Sequence, residues 1–164
     1  MIVLGLDPGT ATTGYGVVER KAGKLHCHDF GCLVTSPDHP PEQRLAHLFD
    51  QVTELFETYE PSAVAVERLF FNKNVRTAIA VGQARGVLLL AAARKRLALS
   101  EYTPLEVKQA VAGHGGAPKS QVQYMVKAIL SLGELPKPDD AADALAIAIC
   151  HQNSHGLRQR MAGQ

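Results

Sequence analysis

No run of 18 apolar residues occurs from which a membrane-spanning helix could be made, and the first residues pass straight into a strand without the basic and then apolar segments of a signal peptide. A cytoplasmic protein without a membrane partner is expected. Cysteine is scarce: Cys27, Cys32 and Cys150 are odd in number and lack C-x-x-C spacing, which points to reduced thiols in a reducing compartment. A general excess of basic charge is missing too. The net charge of +1 argues against a uniformly basic nucleic-acid binder. The average conceals a segregation, however. Residues 68–127 carry ten Lys or Arg against Glu101 and Glu106, whereas residues 29–67 carry eight acids against Arg44 alone. Such polarity suggests a basic face for a polyanion, although solvated helix surfaces are the commoner cause.

With 164 residues the chain can bury one full core, and a single domain is expected over residues 1–151, followed by a flexible tail over 152–164. Met1-Ile-Val-Leu-Gly-Leu-Asp7-Pro8-Gly9-Thr10 begins as an apolar strand buried on both faces and ends on an aspartate beside a Gly/Thr turn. Asp7 there can start a turn or bind a hard cation. Gly14–Arg20 and Leu25–Val34 read as two further strands around a hairpin turn at Lys21–Lys24, giving a three-stranded meander. His26, His28 and Cys32 could share one face of its last strand. Prolines at 37, 40 and 41 precede a helix whose stripe is Leu45, Leu48, Val52, Leu55, Phe56 and Tyr59, and Pro61 ends it. Ala63–Val66 is a fourth strand, and it also exits on an acid, Glu67.

Phe70-Phe71-Asn72-Lys73-Asn74 places two aromatics beside basic and amide side chains in a connection, which suits stacking on nucleobases as well as a core contact by one ring. Thr77–Leu99 reads as one long helix with Gly82 and Gly86 on a common face, permitting close approach of another helix or of the sheet. A fifth strand at Leu99–Thr103 follows, then a helix capped by Thr103 and Pro104 that carries Lys108. Helical spacing breaks at Gly113–Pro118 and resumes at Lys119. The last helix opens near Pro136 with acids in its first turn, where the helix dipole favours them.

Asp140 and Asp143 are three apart, hence on one helical face. Capping explains an acid at 139 or 140, but not Asp143 between Ala142 and Ala144 in an apolar helix. If the first and fourth strands are parallel neighbours, Asp7 and Glu67 leave the sheet about 5 Å apart, and a helix end over that edge would gather four carboxylates. Such a group needs a cation, and oxygen ligands without His or Cys select Mg2+ or Mn2+, one or two ions, suited to phosphodiester cleavage.

These residues carry a resemblance. Leu4-Gly-Leu-Asp7-Pro-Gly-Thr10 with Thr13-Gly-Tyr-Gly-Val-Val18, Val66-Glu67-x-x-Phe70 with Lys73-Asn74, Gly82-Gln-Ala-Arg-Gly86, Val107-Lys108-Gln109, Lys119-Ser-Gln-Val-Gln123 and Asp140-Ala-Ala-Asp143 resemble the RuvC family of Holliday junction resolvases, from Met1 to about His151. The resemblance implies an α/β, ribonuclease-H-like fold with a five-stranded mixed sheet, three antiparallel strands then parallel ones, flanked by helices. It implies a homodimer that nicks four-way DNA junctions with a divalent metal during recombination and repair, coupled to a branch-migration helicase complex. Asp7, Glu67, Asp140 and Asp143 match the family's acidic metal set. Lys108 and Lys119 match basic residues near the scissile phosphate, and Phe70 matches the aromatic at the junction centre. Phe71, Lys73, Asn74 and Arg76 are further expected DNA contacts. Asp139 makes an acidic doublet, so Asp140 is assigned by its D-A-A-D spacing.

Asp7-x-Gly9-Thr10 also resembles the first phosphate loop of actin-like and sugar-kinase-like ATPases. Those enzymes hold nucleotide between two related domains, and this chain has no second strand-Asp-Gly-Thr motif. A related ribonuclease-H-like nuclease acting on RNA would not be expected to combine the Phe70 loop with Lys119-Ser-Gln.

Overall fold

The computed structural model describes residues 1–9, 11–69 and 75–162. Its elements follow the order β1 (Ile2–Pro8), β2 (Thr12–Lys21), β3 (Lys24–Val34), α1 (Pro41–Tyr59), β4 (Ala63–Glu67), α2 (Val75–Arg94), β5 (Ala98–Tyr102), α3 (Pro104–Ala112), α4 (Lys119–Leu130) and α5 (Asp139–Ala162). The strands form one sheet in the order β3-β2-β1-β4-β5, antiparallel among the first three and parallel from β1 to β5. This is the expected mixed sheet. Two residues with positive φ, Ala22 and Gly23, make the tight β2–β3 hairpin.

Alternation along β1 and β4 separates two cores. Leu4, Leu6, Val64 and Val66 face α1 and α2, joined by Leu48, Val52, Phe56 and Leu88. Val3 and Ala65 face the other way, against α3, α4 and α5. Because side chains alternate with period two, Asp7 and Glu67 must emerge on the α5 side. The face is thus decided by the strands themselves.

Three glycines decide how close α5 comes. A Cβ on Gly5 would overlap the carbonyl of Ala144, one on Gly14 the carbonyl of Asp140, and one on Gly16 the Leu145 side chain. Their hydrogen-only surfaces let α5 lie directly on β1 and β2. At its far end, Gln152 is fully buried and its Nε2 donates to the carbonyls of Met1 and Val18, at 2.8 and 2.9 Å. Gln152→Ala should lower unfolding stability by about 2 kcal/mol, read by chemical denaturation, because a buried side chain is deleted and both carbonyls lose this donor, the Met1 carbonyl keeping only the Arg20 N–H. Beyond Gln152, where the sequence reading begins the tail, α5 is helical to Ala162.

Two boundaries and one face differ from the sequence reading. The second helix ends at Arg94 rather than Leu99, and the fifth strand is Ala98–Tyr102. The chain turns through Arg96 in the left-handed region, φ 56°, where no glycine signals the stop, while Leu97 and Leu99 prolong the apolar pattern. In β3, the register shifts against β2 between Val17 and Val18. Leu25 and Cys27 before the shift and Phe30 after it all pack on the α5 side. A bulge reverses the parity, so His26 and Cys32 do not share a face. Among the described residues no helix is long and apolar enough to cross a membrane.

Candidate active site

In the β1–β4 register Leu6 pairs with Val66, so the next residues, Asp7 and Glu67, leave adjoining strands side by side. The first turn of α5 lies over this edge. Carboxylate oxygens of Asp7, Asp140 and Asp143 come within 4.8 Å of one another. Glu67 stands outside that closest trio, yet its charge acts on Asp7, and that of Asp143 acts on it.

Electrostatics show what the cluster requires. Burial, then the charges of Glu67, Asp143 and Asp140, push Asp7 up to about 8, with Lys119 opposing. Burial and Asp143 raise Glu67, while Lys108 and Lys119 pull it down. Asp143 is raised chiefly by burial, although Lys119 donates to it at 3.1 Å. Carboxyls this close and this desolvated resist ionising together unless a cation joins them. The residues therefore fit a hard divalent ion: three oxygen donors converge, with a fourth acid alongside.

Lys119 opens α4 and bridges Asp143 at 3.1 Å and Asp139 at 3.3 Å. Burial opposes its charge, but the bonds and charges of Asp143 and Asp139 outweigh that and raise it. The first acid of the doublet thus has a place: Asp139 binds Lys119 and accepts from Gln123 Nε2 at 2.9 Å, whereas Asp140 turns toward Asp7. Lys108 on α3 lines, with Lys119, Glu67 and Asp143, a cavity of about 230 Å³. Of the expected DNA contacts, Phe70, Phe71, Lys73 and Asn74 lie outside the described residues. The backbone places Arg76 in the first turn of α2.

Sequence reading missed two neighbours. Thr12 Oγ1 donates to Asp140 Oδ2 at 2.6 Å, fixing the carboxylate from β2. Thr12→Val should weaken divalent-ion affinity by about 10-fold to 100-fold, measured by calorimetry, since groups that orient a ligand carry effects of that size. The Cys32 thiol is raised by burial and then by the charges of Asp140 and Asp7, which places it beside the cluster. Neither residue has a motif of its own. Gly5, Gly14 and Gly16, recurring at alternate strand positions, were the available sign that a helix sits on this edge.

A mixed sheet in this order, with acids at two adjoining parallel strand exits and on a helix laid across them, defines a ribonuclease-H-like domain. The family described as "Crossover junction endodeoxyribonuclease RuvC" matches residues 3–151. A crossover junction endodeoxyribonuclease RuvC of Moorella thermoacetica is 57% identical over 160 residues, 98% of this chain and 96% of that one. Thermus thermophilus RuvC has a similar structure, with a TM-score of 0.88 at 40% identity over 96% of both chains. Thermus thermophilus RuvC in complex with Holliday junction substrate also gives a TM-score of 0.88, at 37% identity and 96% coverage of each chain. The chain belongs to the RuvC family of crossover junction endodeoxyribonucleases.

Proposed function

We propose that this protein resolves four-way DNA junctions by paired nicks and that its cutting centre is built from Asp7, Glu67, Asp140 and Asp143. The convergence of Asp7, Asp140 and Asp143 within 4.8 Å carries the reading, supported by family membership. Mg2+ or Mn2+ held by these oxygens supplies a Lewis acid and a more acidic water for attack on the phosphodiester. The chain's own residues do the rest. Asp7 and Glu67 hold their places through rigid parallel strands, and Asp140 is locked by Thr12. Lys119, anchored by Asp143 and Asp139, and Lys108, facing the same cavity, stabilise the negative charge that grows on the phosphate oxygens.

A junction offers two equivalent strands, so a two-fold dimer supplies one centre for each. The outward face of α2 suits that contact. Ile79 is 60% and Leu90 56% exposed, and between them a Cβ on Gly82 or Gly86 would meet nothing within 4 Å. Apolar ends around a flat middle allow a second copy of this helix to approach closely.

The deciding experiment compares a four-way junction with a linear duplex of matching sequence, with and without Mg2+. Metal-dependent, symmetric cutting of the junction alone is expected. Equal cutting of both would leave a nuclease without junction selectivity. For Phe70→Ala, resolution should slow about 10-fold with the melting temperature unchanged, as expected for loss of one stacking ring; unchanged nicking would remove Phe70 from the junction contact.

A further inference from the structure

The roles above use the charged mouth of the cavity between α3, α4 and α5 and leave its interior unassigned. Its floor is apolar, formed by Val107, Val122, Ala146 and Ile147, with the exposed Pro104 at its rim. Val107 and Val122 are only 7% exposed, and Ala146 and Ile147 only 1%, so the floor is the edge of the core, and together with the charged side chains it lines a half-open cleft of about 230 Å³. An apolar floor open to solvent beside a charged centre is where the apolar part of a ligand can leave water.

Charge is confined to its mouth, where Glu67 and Asp143 of the acidic centre meet Lys108 and Lys119. A flat, mostly apolar group attached to a phosphate would satisfy both parts. Resting on the nuclease reading above, we propose that this cavity receives one unstacked nucleobase of the strand being cut, from a nucleotide flanking the scissile phosphate. The space is below the roughly 300–1,000 Å³ of pockets for drug-sized ligands and suits a single base. Continuity with the acidic centre selects the cut strand over any other partner, since a nucleotide whose phosphate lies beside Asp143 has its base within reach of the floor. The floor side chains offer no donor or acceptor, so the base enters by shape and apolar contact. Its polar edge turns to the mouth, where Lys108 and Lys119 donate. A junction is a favourable substrate for this, because bases near a branch point are less firmly stacked than those inside a duplex.

The test uses four-way junctions carrying a fluorescent adenine analogue, quenched by stacking, at each nucleotide flanking the cut. Ca2+ replaces Mg2+ so that binding is read without cutting. With wild-type protein, emission at one flanking position should rise several-fold over the free junction. Val122→Phe, which fills the cavity, should return it to the free level while the junction remains bound, and should slow cutting in Mg2+ by about 100-fold through misplacement of the phosphate. If Val122→Phe does not fold by circular dichroism, Val107→Ile decides, with a partial loss of the signal expected. No rise at any flanking position with wild-type protein, or an equal rise with a folded filling variant, overturns the proposal. Absence of junction binding and cutting by wild-type protein would instead overturn the nuclease reading beneath it.

Discussion

Asp7→Asn is expected to reduce junction cutting by about 1,000-fold or more while junction binding stays within a few-fold of wild type, measured by gel-based cleavage and by equilibrium binding. Asn keeps the shape but removes one of the three anionic donors that converge within 4.8 Å. Cutting at the wild-type rate would displace Asp7 from the centre. The same substitution should move stability in the opposite direction. Asp7 titrates near 8 in the folded protein, raised by burial and by three neighbouring carboxylates, against an ordinary value of about 4. The native state thus holds this proton more tightly than the unfolded chain. Its stabilising contribution is complete below about pH 4 and is lost as pH rises toward about 8. Glu67 and Asp143, also raised, act in the same sense. In a metal-free buffer near pH 8, Asp7→Asn should therefore melt about 5 °C above wild type. Divalent ions should stabilise wild type more than the variant, because only wild type offers the full acidic set. A wild-type protein whose metal-free melting temperature climbs from pH 5 to pH 8 would contradict this account of the cluster.

Gly14→Ala should be the most damaging change outside the carboxylates. The new methyl group would overlap the backbone carbonyl of Asp140 and crowd the nitrogen of Ala141, and main chain cannot turn aside as a flexible side chain can. The first turn of α5 must rise from the sheet, at about 3 kcal/mol, read as a fall in denaturation midpoint. Asp140 would then leave Asp7, and divalent-ion affinity should drop by about 100-fold even where the protein remains folded. Gly86→Ala is the control, because a Cβ there meets nothing within 4 Å in the monomer. It should leave the stability of the single chain unchanged or slightly raised, and any loss it causes should appear in formation of the proposed dimer. A Gly14→Ala protein with wild-type stability and ion affinity would show that α5 does not depend on this close seat.

The acidic cluster was largely written in the chain, because each acid advertises itself locally. Asp7 and Glu67 interrupt apolar strands at their exits, and Asp143 stands in a helix that is otherwise Ala, Leu and Ile. Alternation with period two then settles which face they share, and this reading agrees with the two separate cores. Thr103 with Glu106 forms the full capping box at the start of α3, as a purely local signal should. Local rules failed where a partner strand or helix intervened. The β3 register shift reversed the parity on which a shared His26, His28 and Cys32 face depended. The end of α2 passed through Arg96 in a left-handed conformation, which no side-chain type announced.

By itself, then, the sequence determined the element order, the mixed sheet, the acids at its strand exits and the family. The element order and the acids rest on short-range periodicity, and the family, with the mixed sheet that it implies, on motif spacing, which a linear chain displays in full. Tertiary structure alone decided how the acids relate. It separated Asp139, bound to Lys119 and Gln123, from Asp140, bound by Thr12 and turned to Asp7, although the two are adjacent in the chain. It also set Glu67 beside the closest trio and opened an apolar cavity at the mouth of the centre. The physical reason is that these outcomes depend on the separation between α5 and the sheet. That separation is set by glycines 5, 14 and 16, whose contribution is the absence of a side chain.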